Sequence, residues 1–162
     1  MKDHSQTPPH KAATPDAHGV RVAVVVSMYH RDITKALEDG ARRAFASAGG
    51  QPADLMVVEA PGAFELPVIA AACAARADCA GVVALGCVIA GETRHDRYIN
   101  SAVTHALAQL SVTTRKPVGY GLLTVDSVKQ ARARAGGKHG NKGEDAMLAV
   151  MWAVQAMTRM GM

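Results

Sequence analysis

The stretch from Val22 to Val26, with Val24, Val25 and Val26 consecutive, limits the chain's possible folds more than any other feature. A continuous β-branched run has no polar side to turn toward water, so its strand must be covered on both faces, as in a parallel sheet. Residues 20–27 are therefore predicted as a buried strand, and residues 81–89 repeat the pattern almost without a polar residue. Helical periodicity fills the intervals. Over residues 32–48, Ile33, Ala36, Leu37, Ala41, Ala44 and Phe45 share one face, and Gly49 with Gly50 stops the helix. A short strand over 54–59 precedes Ala60-Pro61-Gly62 and a helix reaching about residue 76. A long helix over 94–114, a fourth strand over 118–124 and a helix from about residue 126 follow. A Gly- and Lys-rich elbow, Gly136 to Gly140, then leads to a last helix. Asn141 with Glu144 three residues on resembles a capping box and marks its start. Strand alternates with helix throughout, which gives an α/β three-layer sandwich around a four-stranded parallel sheet with right-handed crossovers.

At 162 residues the chain fits one domain, taken as residues 20–162. Residues 1–19 are predicted to be a disordered arm, since Pro8, Pro9 and Pro15 interrupt a polar stretch with no face to bury. The irregular spacing of His4, His10 and His18 in that arm argues against a metal site. The net charge of +4 is modest and forms no basic run, which excludes nucleic acid as a partner. Cys73, Cys79 and Cys87 are odd in number, form no CxxC pair and lie in apolar stretches, as buried thiols of a reducing compartment would. No segment reaches a membrane span and the N-terminus lacks a signal peptide's apolar core, so a cytoplasmic location is expected.

In an open α/β sheet, ligands bind beyond the carboxyl ends of the strands. Here those ends carry Tyr29 and His30, then Ala60 to Glu65, Cys87 to His95, and Leu123-Thr124. The glycine spacing of Gly86-Cys87-Val88-Ile89-Ala90-Gly91 suggests a phosphate loop, but Glu92 and Thr93 stand where Lys and Ser/Thr should follow, so a nucleoside-triphosphate loop is rejected. What remains is a helix start whose free amides suit a phosphate, or bind nothing. His95, in the first turn beside them, is either a proton carrier or a surface histidine. Glu65 is either a helix-dipole partner or an acceptor for a polyol. Tyr29 is placed to stack on a planar ring or to cap the core edge. Arg134, Lys138 and Lys142 bracket the elbow as an anion site or as a solvated basic loop.

Three motifs in order, without an insertion, resemble the 6,7-dimethyl-8-ribityllumazine synthase family over nearly all of the chain after residue 20. They are Ala60-Pro61-Gly62-Ala63-Phe64-Glu65-Leu66-Pro67; Ala84-Leu85-Gly86-Cys87-Val88-Ile89 with Gly91-Glu92-Thr93 and His95; and Ala133-Arg134-Ala135-Gly136 with Lys138 and Gly140-Asn141-Lys142-Gly143. The resemblance implies a flavodoxin-like fold and a transferase of riboflavin biosynthesis. That enzyme condenses 5-amino-6-(D-ribitylamino)uracil with 3,4-dihydroxy-2-butanone 4-phosphate and uses no metal or organic cofactor. Carried over by position, Tyr29 would stack on the pyrimidine, while Ala63, Phe64 and Glu65 would line the ribityl chain. Backbone groups of Cys87, Val88 and Ile89 would read the pyrimidine edge. The amides of Gly91, Glu92 and Thr93, with Arg134, would hold the phosphate, and His95 would shuttle protons. Tyr120 and Lys142 would complete the pocket.

The resemblance further implies a homopentamer whose pockets lie between subunits, with decamers or sixty-subunit shells as larger states. The chain departs from the family's pattern at three places. Ala90 stands where Arg is common before the loop glycine, with Arg94 and Arg97 one turn on as possible replacements. His30 stands where Asn is common, and Asp96 where an aromatic is common after His95. Two enzymatic or binding alternatives share the fold, an archaeal-type riboflavin synthase and a non-catalytic flavin-binding pentamer. The Pro61-to-Glu65 run and His95 speak against the first. The joint presence of Glu65, His95, Arg134 and Lys142 speaks against the second.

Overall fold

A computed structural model describes residues 14–161 of the chain. Four strands, β1 (Val22–Ser27), β2 (Leu55–Ala60), β3 (Gly81–Ile89) and β4 (Val118–Val125), form one sheet in the order β2-β1-β3-β4. All three pairings are parallel. This is the flavodoxin-like arrangement, with the order reversing between β1 and β3. Between and after the strands come α1 (Arg31–Ser47), α2 (Leu66–Ala74), α3 (His95–Thr114), α4 (Val128–Arg134) and α5 (Lys142–Arg159).

Two cores result, one on each side of the sheet. Val22, Val24 and Val26 of β1 face α1 and α5, together with Phe45, Leu37, Met147 and Met151. Ala23 and Val25 face α2 and α3, with Leu66, Ala70, Val103 and Leu107. The alternation of neighbouring β1 residues between two apolar layers is why that run contains no polar position. α1 and α5 come very close together. A Cβ on Gly143 would collide with the Leu37 carbonyl, and one on Gly40 would collide with the Asn141 side chain.

Asn141 confirms the expected start of the last helix and does more than cap it. Its Oδ1 accepts from the amides of Gly143 and Glu144, at 2.8 and 3.2 Å, while its Nδ2 donates to the Ala36 carbonyl at 2.8 Å. One buried side chain therefore closes the N-terminus of α5 and ties it to α1.

The observed elements start or end within a few residues of the expected ones, and β3 matches its expected range. Two expectations need correction. The segment expected as an elbow is a small antiparallel ribbon, β5 (Ala135–Gly137) paired with β6 (Gly140–Asn141). Gly136 and Gly140 both take positive φ there, at 112° and 75°, so the ribbon needs its glycines. Residues 14–19, expected to bury nothing, lie against the domain. Ala17 is fully buried and its amide donates to the Ala48 carbonyl at 2.8 Å. The rest of the expected arm, residues 1–13 with His4 and His10, lies outside the described residues.

Cys73, Cys79 and Cys87 are buried free thiols, as expected. No described helix is long and apolar enough to cross a membrane.

Candidate active site

A cavity of about 380 Å³ opens beyond the carboxyl ends of β1, β2 and β3. It is walled by Tyr29 and His30, by the Gly62 to Glu65 turn, by Cys87, Val88 and Ile89, and by His95 and Ile99. Eight of the expected site residues thus meet in one place: Tyr29, Ala63, Phe64, Glu65, Cys87, Val88, Ile89 and His95. Each arrives for a local reason. The β1 end is held by the Met28 amide donating to the Ala60 carbonyl and by Ser27 Oγ accepting from the Tyr29 amide, at 2.8 and 3.3 Å.

Glu65 occupies the N-cap position of α2 but makes no side-chain capping bond, so the helix-dipole role does not occupy its carboxylate in a hydrogen bond. That carboxylate lies across Gly62, where an added Cβ would sit 2.9 Å from Oε2. A side chain at 62 would push the end of Glu65 aside. Pro67 falls in the first turn of α2, where its missing N–H costs nothing.

Cys87 is almost fully buried, and burial, with a smaller contribution from the charge of Asp32, pushes its thiol up to about 11. The thiol is therefore protonated near neutral pH and no thiolate nucleophile is available. Cys87 lines the cavity together with Val88 and Ile89.

The turn from Ile89 to His95 crosses from β3 to α3. The Ala90 amide donates to the Val125 carbonyl at 2.8 Å, and the His95 amide donates to Thr93 Oγ1 at 3.4 Å. Arg94, the N-cap residue, provides no side-chain cap, and of the first three amides of this 20-residue helix those of His95 and Arg97 are taken, by Thr93 Oγ1 and by the Arg94 carbonyl. Gly91, Glu92 and Thr93 are exposed at the cavity's edge and do not wall it.

The remaining three residues are elsewhere. Tyr120, Arg134 and Lys142 line a second, shallower cleft of about 230 Å³ along the free edge of β4, from Tyr120 to Val125. The Tyr120 hydroxyl is hydrogen-bonded to Thr104 Oγ1 at 3.0 Å, Arg134 Nη1 donates to the Gln130 carbonyl at 3.2 Å, and Lys142 pairs with Asp145 at 2.7 Å. Lys138, named with them in the sequence, lies in neither cleft. The two clefts share no lining residue.

The family model described as 6,7-dimethyl-8-ribityllumazine synthase matches residues 19–158. The chain belongs to this family. Proteins bearing the lumazine synthase name that it resembles include one from Frankia casuarinae, 50% identical over 139 residues that cover 85% of each chain. One from Thermus thermophilus is 43% identical over 141 residues, covering 87% of this chain and 90% of that protein. One from Aquifex aeolicus is 40% identical over 135 residues, covering 83% and 88%. Membership in the lumazine synthase family agrees with the sheet order, with the cavity at the strand ends and with the first two motifs, whose residues supply most of its walls.

Sequence reasoning passed over three wall residues. Ile99 follows His95 by four positions, so helical spacing was the available signal. Gly62 was quoted within a motif without its role beneath Glu65. His30 was placed at a strand end and noted as a departure from the family's usual Asn, without a role of its own.

Proposed function

We propose that this chain condenses 5-amino-6-(D-ribitylamino)uracil with 3,4-dihydroxy-2-butanone 4-phosphate to 6,7-dimethyl-8-ribityllumazine in riboflavin biosynthesis. Phosphate and water are released. The observation that carries this reading is the meeting of Tyr29, Ala63, Phe64, Glu65 and His95 with the β3 backbone in one cavity, in a chain that belongs to the family.

The roles follow from chemistry. Tyr29 offers a ring face to the pyrimidine, and Glu65, free of a capping bond, accepts from ribityl hydroxyls. The substrate's 5-amino group attacks the ketone carbon, and loss of water gives an imine. Removal of a proton then expels phosphate, tautomerisation regenerates a ketone, and attack by the ribitylamino nitrogen with loss of a second water closes the ring. Every step moves a proton, and His95 at the cavity wall is the group placed to take and return them. The departing phosphate leaves toward the N-terminus of α3 beside Gly91, Glu92 and Thr93, where the helix dipole favours an anion. Holding two substrates in register supplies much of the remaining acceleration.

The active unit in this reading is a homopentamer. Arg134, Lys142 and Tyr120 face a cleft that the chain's own cavity does not reach. A neighbouring subunit that lays its β4 edge over the cavity brings Arg134 to the phosphate and Tyr120 to the pyrimidine. The surface beside the cavity supports such a contact, because Phe64, Val68 and Tyr98 are 62%, 66% and 74% exposed. Three buried free thiols support a reducing compartment, the cytoplasm.

The test is to mix purified protein with both substrates and follow lumazine absorbance beside a protein-free blank, since the condensation proceeds slowly unaided. Clear acceleration is expected. A rate equal to the blank, with flavin still bound tightly, would replace this reading with a non-catalytic flavin-binding pentamer.

A further inference from the structure

A further cavity, of about 520 Å³, lies at the amino ends of β3 and β4, the end of the sheet opposite the active site. It shares no lining residue with the active-site cavity, the β4 cleft or the groove between α2 and α3. Its apolar walls are Ala77, Ala80, Pro117, Val154 and Met157, and no acidic side chain lines it. Three of its polar side chains are already committed. The Cys79 thiol donates to the Gly81 carbonyl at 3.2 Å and the Thr158 hydroxyl to the Val154 carbonyl at 3.0 Å. Lys116 Nζ donates to the Arg76 carbonyl at 2.6 Å. The fourth, Arg115, makes no hydrogen bond or ion pair among the described residues.

Arg115 also holds an unfavourable backbone. It ends α3 at φ 53° and ψ 36°, the left-handed position that glycine usually fills after a helix. A charged side chain is thus kept where the backbone favours none, a pattern found at ligand clamps. We propose that this cavity binds a small amphipathic carboxylate, its hydrocarbon body against the apolar walls and its head on Arg115. A single uncommitted cation suits a monoanion, and a guanidinium meets a carboxylate through two parallel hydrogen bonds. The carbonyl ends of α3 and α5 lie here as well, and Lys116 offsets them, which leaves the charge of Arg115 for the ligand. The site is independent of the condensation.

Octanoate, titrated calorimetrically into the full-length assembled protein, is the probe. It should bind about once per chain with Kd on the order of 1 mM or below, as expected for so small a ligand. Octylamine has the same tail with the opposite charge, and inorganic phosphate has charge without a tail; neither should bind. Arg115→Gln keeps the strained backbone and removes the charge, so octanoate should weaken by about tenfold or more. Arg115→Gly should lose binding equally and raise the thermal midpoint, because the turn relaxes. Absence of octanoate binding overturns the inference, as does binding that survives Arg115→Gln or is matched by octylamine or phosphate. Binding lost in Arg115→Gly alone, with a lowered midpoint, overturns it too and gives Arg115 a structural role.

Discussion

On one side of the sheet α1 buries eight of its 17 residues, and α5 is locked onto it by Asn141 and by close approach at Gly40 and Gly143. On the other side α3 runs for 20 residues and buries only Val103 and Leu107. A helix that leaves most of its surface uncovered contributes little to the fold for its length. The apolar groove beside it, walled by Phe64, Pro67, Val68, Ala102 and Ala106, adjoins the active-site cavity through Phe64 and Glu65. The contrast assigns different duties to the two faces. The α1–α5 side is closely packed, and the α2–α3 side leaves an apolar surface uncovered.

That division is sharpest where a substitution acts on one face alone. Gly143→Ala should have the largest effect, because its new methyl group meets the Leu37 backbone carbonyl, which cannot rotate away as a side chain would. Overpacking of this kind costs about 3 kcal/mol, enough to consume much of a small domain's stability. The urea midpoint should fall accordingly, and an unchanged midpoint would show that the two helices can slide apart freely.

Val68→Glu combined with Ala106→Glu tests the other face. Both residues wall the α2–α3 groove outside the sheet core, so circular dichroism should report a folded chain. Sedimentation should report monomers, since a charge buried in an apolar contact without a partner is costly. Condensation should then fall to the blank rate because Arg134, Lys142 and Tyr120 no longer reach a neighbour's cavity. A fully active monomer would sink the composite site, and an intact assembly would move the interface elsewhere.

Within the cavity the effects become smaller. His95→Ala should lower kcat by about a hundredfold, at the lower edge of what general acid–base catalysis supplies, while substrate binding is largely kept. The aligned substrates still react, as they do slowly in water. Turnover equal to wild type would remove His95 from the mechanism.

How much of this was legible depended on whether a feature announces itself in one stretch of sequence. β3 was read to the residue because a strand with seven buried and two half-buried residues leaves a gap-free apolar run that ends at a turn. The N-terminus of α5 was read because Asn at the cap position is a local signal. The β5–β6 ribbon was missed because Gly136, Gly137 and Gly140 present no alternation of side chains, and its pairing depends on backbone angles. The grouping of eight site residues was legible through the rule that strand ends converge. Their separation from Tyr120, Arg134 and Lys142 was not, because a motif records residue types along the chain and not which cleft each one lines.

The smallest effect is expected at Ala90, and it tests how the two clefts divide the phosphate. The Ala90 backbone is held to the end of β4 by its bond to Val125, its methyl group is exposed, and a Cβ on Gly91 would meet nothing within 4 Å. A longer side chain therefore has room, and Ala90→Arg should not disturb the fold. If the α3 helix dipole and a neighbour's Arg134 already hold most of the phosphate charge, one added guanidinium should lower KM for the butanone phosphate by only a few-fold. The scale of a single charge-assisted contact caps the gain at roughly tenfold. The pyrimidine KM should not move, because Tyr29, His30 and Glu65 lie at the other end of the cavity. A much larger gain would mean that the phosphate is poorly held in the natural chain. No gain, with KM rising instead in Arg94→Ala or Arg97→Ala, would mean that the first turn of α3 already provides the cation in place of position 90.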